Sequence, residues 1–114
     1  MSGITTHVLD LASGRPAAGV GVKLEILVAG KGWTALAERV TDADGRVKDL
    51  IAAGSQLDGG RYRLTFAVGE YFGKLKQACF HPEAPVVFEV RDPAQHYHVP
   101  LLVSPFGYST YRGS

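Results

Sequence analysis

Cysteine, tryptophan and methionine are nearly missing from this sequence, with one of each among 114 residues. The single cysteine, Cys79, excludes an internal disulfide, and nothing argues for an oxidising compartment. It stands between Ala78 and Phe80, the setting of an inert buried thiol rather than a reactive one. Charge of one sign is missing too. The formal net charge is +1 and Lys and Arg form no basic run, so the electrostatic footprint of a nucleic-acid binder is absent. No apolar run approaches the ~18 residues of a membrane span. The opening Met1-Ser2-Gly3-Ile4-Thr5-Thr6-His7 lacks the basic start and apolar stretch of a signal peptide, and the closing Tyr111-Arg112-Gly113-Ser114 is no peroxisomal address. Neither a Gly-rich phosphate loop nor a Gly-x-Ser-x-Gly nucleophile elbow is present. The expectation is one soluble, cytoplasmic domain spanning residues 1–114, with no nucleic-acid or membrane partner. A chain of this length folds without staples.

What is present is alternation. Val20, Val22, Leu24, Ile26 and Val28 alternate with Gly21, Lys23 and Glu25, and Tyr62, Leu64, Phe66 and Val68 alternate with Arg61, Arg63 and Thr65. That period of two marks half-buried strands. Ile4–Leu11, Thr34–Thr41, Val86–Arg91, Tyr97–Ser104 and Tyr108–Arg112 read as further strands, and Arg46–Leu50 as a short, weak one. Turn signals separate them at Ser13-Gly14-Arg15-Pro16, Asp42-Ala43-Asp44-Gly45, Asp58-Gly59-Gly60, Asp92-Pro93 and Ser104-Pro105-Phe106-Gly107. Glu70–Gln77 is the one segment read as a short helix. The predicted fold is all-β, a two-sheet antiparallel β-sandwich of about eight strands with one short helix.

The segment from His96 to Ser104 carries more than a strand signal. Tyr97, Val99, Leu101 and Val103 form an apolar face suited to the core. The opposite face holds His96, His98, Pro100, Leu102 and Ser104, which is neither charged nor plainly solvated. His7, Leu9 and Leu11 make a similar face near the N-terminus. Two such faces on the outside of a sandwich predict cover by another subunit. Histidine also titrates near neutral pH, so His7, His96 and His98 are candidates for chemistry, whereas His81 reads as a loop residue. His96 and His98 share one side of a strand and could pair on a metal with His7 as a third ligand, but no Cys, Asp or Glu completes a ligand spacing. Asp42-Ala43-Asp44-Gly45 places its glycine at the wrong position for a calcium loop and reads as a plain turn. Arg46 follows it, either as a solvated strand end or as the group that binds an anionic or carbonyl-rich ligand and keeps a nearby histidine neutral.

Three segments together carry a resemblance. They are Thr5-Thr6-His7-Val8-Leu9-Asp10 with Ala12-Ser13-Gly14-Arg15-Pro16-Ala17, then Thr41-Asp42-Ala43-Asp44-Gly45-Arg46, then His96-Tyr97-His98-Val99-Pro100-Leu101-Leu102-Val103-Ser104-Pro105 with Tyr108-Ser109-Thr110-Tyr111-Arg112-Gly113-Ser114. They resemble the 5-hydroxyisourate hydrolases, the enzymatic branch of the transthyretin-like family, along essentially the whole chain. The closing Tyr-Arg-Gly-Ser is the most specific element. The resemblance implies a sandwich of two four-stranded sheets assembled as a homotetramer, a dimer of dimers, with active sites in a channel at the dimer–dimer interface. It implies hydrolytic opening of 5-hydroxyisourate to 2-oxo-4-hydroxy-4-carboxy-5-ureidoimidazoline in urate breakdown, with no cofactor and no metal. It implies His7, Arg46, His98 and Ser114 as catalytic residues, with His7, Arg46 and Tyr111 binding substrate. One of His7 and His98 then serves as general base and the other as proton donor, and the residues alone leave open which is which. Two other classes stand beside this reading. A ligand carrier of the transthyretin kind is opposed by the histidines at 7 and 98 and by the Tyr-Arg-Gly-Ser end, and a zinc-dependent hydrolase is separable by chelation.

Overall fold

Alternation of apolar and polar residues turns every second side chain to one face of a strand, and it organises both sheets of the computed structural model, which describes residues 3–51 and 55–113. In chain order the elements are β1 (Gly3–Asp10), β2 (Arg15–Pro16), β3 (Gly21–Val28), β4 (Gly32–Val40), β5 (Arg46–Val47), β6 (Gly60–Phe66), α1 (Val68–Lys74), β7 (Ala84–Val90), β8 (His96–Ser104) and β9 (Gly107–Thr110). One sheet runs β4-β3-β6-β7, and the other β2-β1-β8-β9 with β5 also paired to β1. The two-sheet sandwich expected from the sequence is the observed architecture. Its ladders are antiparallel except for β1 on β8, which run parallel over their whole length. A parallel pair needs a long crossover, and here everything from β2 to β7 lies between the two strands.

The core forms where the inward faces meet. Val22 and Leu24 of β3 and Tyr62, Leu64 and Phe66 of β6 are buried together with Ile4 and Val8 of β1 and Leu101 and Val103 of β8. Each large apolar side chain buried this way contributes about 1.5–3 kcal/mol. Tyr97, Val99, Leu101 and Val103 all face the core as the sequence predicts. Buried polar groups accompany them, and Thr6 and Asp10 are satisfied. The Thr6 hydroxyl donates to the Val99 carbonyl at 2.6 Å. Buried Asp10 accepts from the Ala12 amide at 2.9 Å and from the Tyr71 hydroxyl at 2.8 Å. Burial, with Asp10 as partner, pushes the Tyr71 pKa up to about 12.

The structure departs from the sequence reading at the helix, at β5, at Glu25 and at Pro100. The helix starts at Val68 rather than Glu70, because Val68 and Phe72, four residues apart, bury one face. It ends before Gln77, since Lys76 adopts a left-handed φ of 59°. The expected strand Arg46–Leu50 pairs only over Arg46–Val47. Glu25, read as solvent-facing, is buried. A register shift in the β3–β4 ladder falls between Leu24 and Glu25, and Arg63 binds the carboxylate at 2.9 Å while stacking on Trp33. Finally Pro100, read as an outer residue awaiting cover from another subunit, is already buried within one chain.

Candidate active site

The outer face of the second sheet gathers residues that are remote in sequence. Side chains alternate, so Thr5, His7 and Leu9 of β1 point outward together, as do His96, His98, Pro100 and Leu102 of β8. The parallel register sets Thr5 beside His98, His7 beside Pro100 and Leu9 beside Leu102. On the other side of β1, Arg46 stands opposite His7. His7, Arg46 and His98 are thereby brought to one face, and each is partly buried.

Arg46 is held there by the turn before it. The Asp42 carboxylate accepts the Asp44 amide at 2.9 Å and the Arg46 amide at 3.0 Å. The Arg46 amide is the largest cause of the lowered Asp42 pKa, so the carboxylate stays ionised and the turn stays closed. Gly45 has φ +75°, and a Cβ there would lie 2.5 Å from the Val8 carbonyl oxygen. Only glycine lets the chain approach β1 this closely, and the Val8 amide uses that approach to donate to the Gly45 carbonyl at 2.7 Å. The Asp-Gly-Arg sequence is therefore more than a plain turn, because it registers Arg46 against His7.

His98 is tied down on two sides. Its Nδ1 lies 2.8 Å from the Thr5 hydroxyl, which also lies 2.9 Å from Nε2 of exposed His96. Gly113 covers the other side. Its amide donates to the His98 carbonyl at 2.8 Å. A Cβ on Gly113 would come within 2.6 Å of His98 Cδ2 and 3.2 Å of Pro100 Cγ, so the glycine of the closing motif is what lets the tail lie on the imidazole. Arg112 secures that tail through Gln95 Oε1 at 2.8 Å and by stacking over Tyr97. Burial lowers the His98 pKa, and the neighbouring charges of Arg46, His7 and His96 lower it further. The lowered pKa favours a neutral ring at physiological pH, with Nδ1 facing the Thr5 hydroxyl.

Tyr111 follows β9 directly. It is largely exposed and lines a cavity of about 300 Å³ with Val86, Phe88, Tyr97, Thr110 and Arg112. Ser114 lies outside the described residues. Among the described residues no three His, Cys, Asp or Glu side chains gather as metal ligands. Thr5 and Gly113 are the site residues that sequence reasoning did not single out. Thr5 was signalled by its phase, two residues before His7 on the same face.

The HIUase/Transthyretin family matches residues 4–113. The 5-hydroxyisourate hydrolase of Caulobacter vibrioides is 51% identical over 118 aligned positions that span all of both chains. Among solved structures, Klebsiella pneumoniae 5-hydroxyisourate hydrolase superposes with a TM-score of 0.87 at 38% identity, covering all of both chains. Sea bream transthyretin in complex with thyroxine gives 0.89 at 37% identity, covering 96% of this chain and 93% of that one. A hydrolase and a thyroxine-bound protein share this backbone, so the difference between them rests on side chains.

Proposed function

This chain belongs to the HIUase/Transthyretin family, and from that premise we propose how its outer-face cluster hydrolyses 5-hydroxyisourate in urate breakdown. Water attacks a ring carbonyl and the adjacent C–N bond breaks. The carbon becomes the carboxyl group of 2-oxo-4-hydroxy-4-carboxy-5-ureidoimidazoline, and the nitrogen takes a proton as part of the ureido group. Such a step needs a base for the water, an acid for the nitrogen and donors for the oxyanion.

His98 is the base in this reading. It is held neutral, and its engaged Nδ1 leaves Nε2 to take a proton from water. His7, on the same face, donates to the departing nitrogen. Arg46 opposite His7 supplies a planar fork of donors to the carbonyl oxygen as negative charge builds on it. Tyr111 and Ser114 orient substrate and water. Tyr111 is largely exposed within one chain, and in this reading a homotetramer, a dimer of dimers, covers this face with its second dimer. No step calls on a cofactor.

The observation that carries the reading is the convergence of His7, Arg46 and a neutral, oriented His98 on one sheet face. Its test is ultraviolet monitoring of freshly made 5-hydroxyisourate. His98→Asn and His7→Asn should each lower kcat by about 100-fold or more with unchanged folding, the loss expected for a general acid or base. Near-normal turnover in either variant removes that histidine from the chemistry.

A further inference from the structure

A base that works through one imidazole nitrogen depends on what the other nitrogen does. A neutral ring carries one proton. If Nδ1 holds it, Nε2 offers a lone pair, and if Nε2 holds it, the ring cannot accept a proton from water there. On the outer face of β1 and β8, the partner of His98 Nδ1 is not a carboxylate or a backbone carbonyl but the hydroxyl of Thr5, at 2.8 Å. A hydroxyl accepts or donates equally well, so by itself it selects neither tautomer. The same oxygen also lies 2.9 Å from Nε2 of His96. One hydroxyl has one proton. When it donates to one imidazole, it is free to accept from the other. The two rings are thus coupled through Thr5, one presenting N–H to the hydroxyl and the other a lone pair.

We propose that Thr5 and His96 are positioning residues for His98: His96 takes the Thr5 hydroxyl proton on its Nε2 lone pair, and the Thr5 oxygen thereby accepts Nδ1–H of His98 and keeps Nε2 of His98 open. This rests on the assignment of His98 as the base. The fold supplies the geometry without further adjustment. Thr5 stands directly beside His98 in the parallel ladder, and Gly3, which has no side chain, stands beside His96. Gly113 lies against the remaining side of the His98 ring, so the ring is confined to the plane in which Nδ1 meets Thr5. His96 is exposed, and its hydrogen bond to this cluster is the one to Thr5. No covalent step is involved, and the hydrogen bonds set only where the resting proton sits.

The test pairs ring ¹⁵N chemical shifts of His98 with steady-state kinetics on the full chain. The wild type should show His98 with its proton on Nδ1. Thr5→Val, which keeps the β-branched shape and removes the hydroxyl, should leave a mixture of tautomers and lower kcat by about tenfold or more, with KM nearly unchanged, because an imidazole in the wrong tautomer cannot act as base. Thr5→Ser should restore both the single tautomer and the turnover. His96→Phe should shift the tautomer in the same direction as Thr5→Val while the Thr5 hydroxyl remains. A wild-type His98 protonated on Nε2, or a Thr5→Val protein that keeps a single Nδ1–H tautomer, overturns the proposal, and the wild-type spectrum stands whether or not a variant folds. Failure of the underlying assignment looks different: His98→Asn would then keep its turnover, or, with His98 as proton donor, kcat/KM would fall as pH rises through the His98 pKa and not as it drops. An inactive His98→Asn beside a fully active Thr5→Val would defeat this inference alone.

Discussion

At the scale of single residues, the state of His98 is set by burial first and by Arg46 second, and both lower its pKa. A lowered pKa means that the imidazole stays neutral as the pH drops through the ordinary histidine value of about 6.5. The sign is the same for stability: the unfolded chain binds that proton more readily, so the contribution is whole above about pH 6.5 and is lost as pH falls through the folded-state pKa. The acid limb of kcat/KM should therefore lie below the ordinary histidine range. Arg46→Gln removes the charge and should move the limb upward, though not fully, because burial remains. Arg46→Lys keeps the charge but not the planar fork, so its limb should stay in place while turnover falls. Profiles of the three proteins separate tuning from binding, and coincident limbs in wild type and Arg46→Gln would mean that Arg46 does not tune His98. His7 and His98 stand out in the sequence because each sits on the outward phase of a strand, and Arg46 because it follows the Asp-Gly turn; the resemblance joins the three. Thr5 does not stand out, because its role depends on a parallel pairing with a strand 93 residues away, which neither segment records by itself.

At the scale of elements, local pattern decided most of what could be read. The long strands fall where alternation puts them, since side-chain period and burial are one fact in a half-buried sheet. Misreadings came where tertiary contacts overrule local pattern. The phase of β3 changes at Glu25 because of the irregular pairing with β4, and α1 takes in Val68 because Val68 and Phe72 share a buried face. The turn before β5 shows how a short element serves the site. Gly45→Ala would force a side chain into a left-handed backbone and against the Val8 carbonyl oxygen 2.5 Å away. Strain of this kind costs about 1–3 kcal/mol, which for a domain of this size lowers Tm by roughly 4–12 °C. Activity should fall further than stability, since the same displacement pulls Arg46 out of register with His7. Thermal melts and turnover, both measured well below Tm, distinguish the two effects. A Gly45→Ala protein of reduced Tm and unchanged turnover would show that the turn stabilises the sandwich without placing Arg46.

At the scale of the whole molecule, the backbone is common to a hydrolase and a thyroxine-bound protein, and what differs is the chemistry mounted on the outer face of one sheet. The sandwich follows from composition and alternation, but the way copies assemble does not, because the same apolar outer residues serve partly within one chain. Pro100 is buried by the chain itself, whereas Leu9 and Leu102, paired side by side, stay half exposed and Leu11 is open to solvent. These leucines border His7 and His98. Cover by a second dimer would exclude water from the cluster and strengthen the pull of Arg46 on a developing oxyanion, since charges interact more strongly away from bulk water. If a second dimer covers this face, Leu102→Glu buries an uncompensated carboxylate in an apolar contact and should split the proposed tetramer into dimers. Leu102 has no group that can take part in the reaction. Turnover should nevertheless fall in step with tetramer content, and raising the protein concentration should recover both together. Analytical ultracentrifugation run beside the ultraviolet assay reads the two quantities on one sample. If the wild type is fully active as a dimer or monomer, or if Leu102→Glu dimers turn over substrate at the wild-type rate, the site is complete without the second dimer, and the half-exposed leucines are ordinary surface residues.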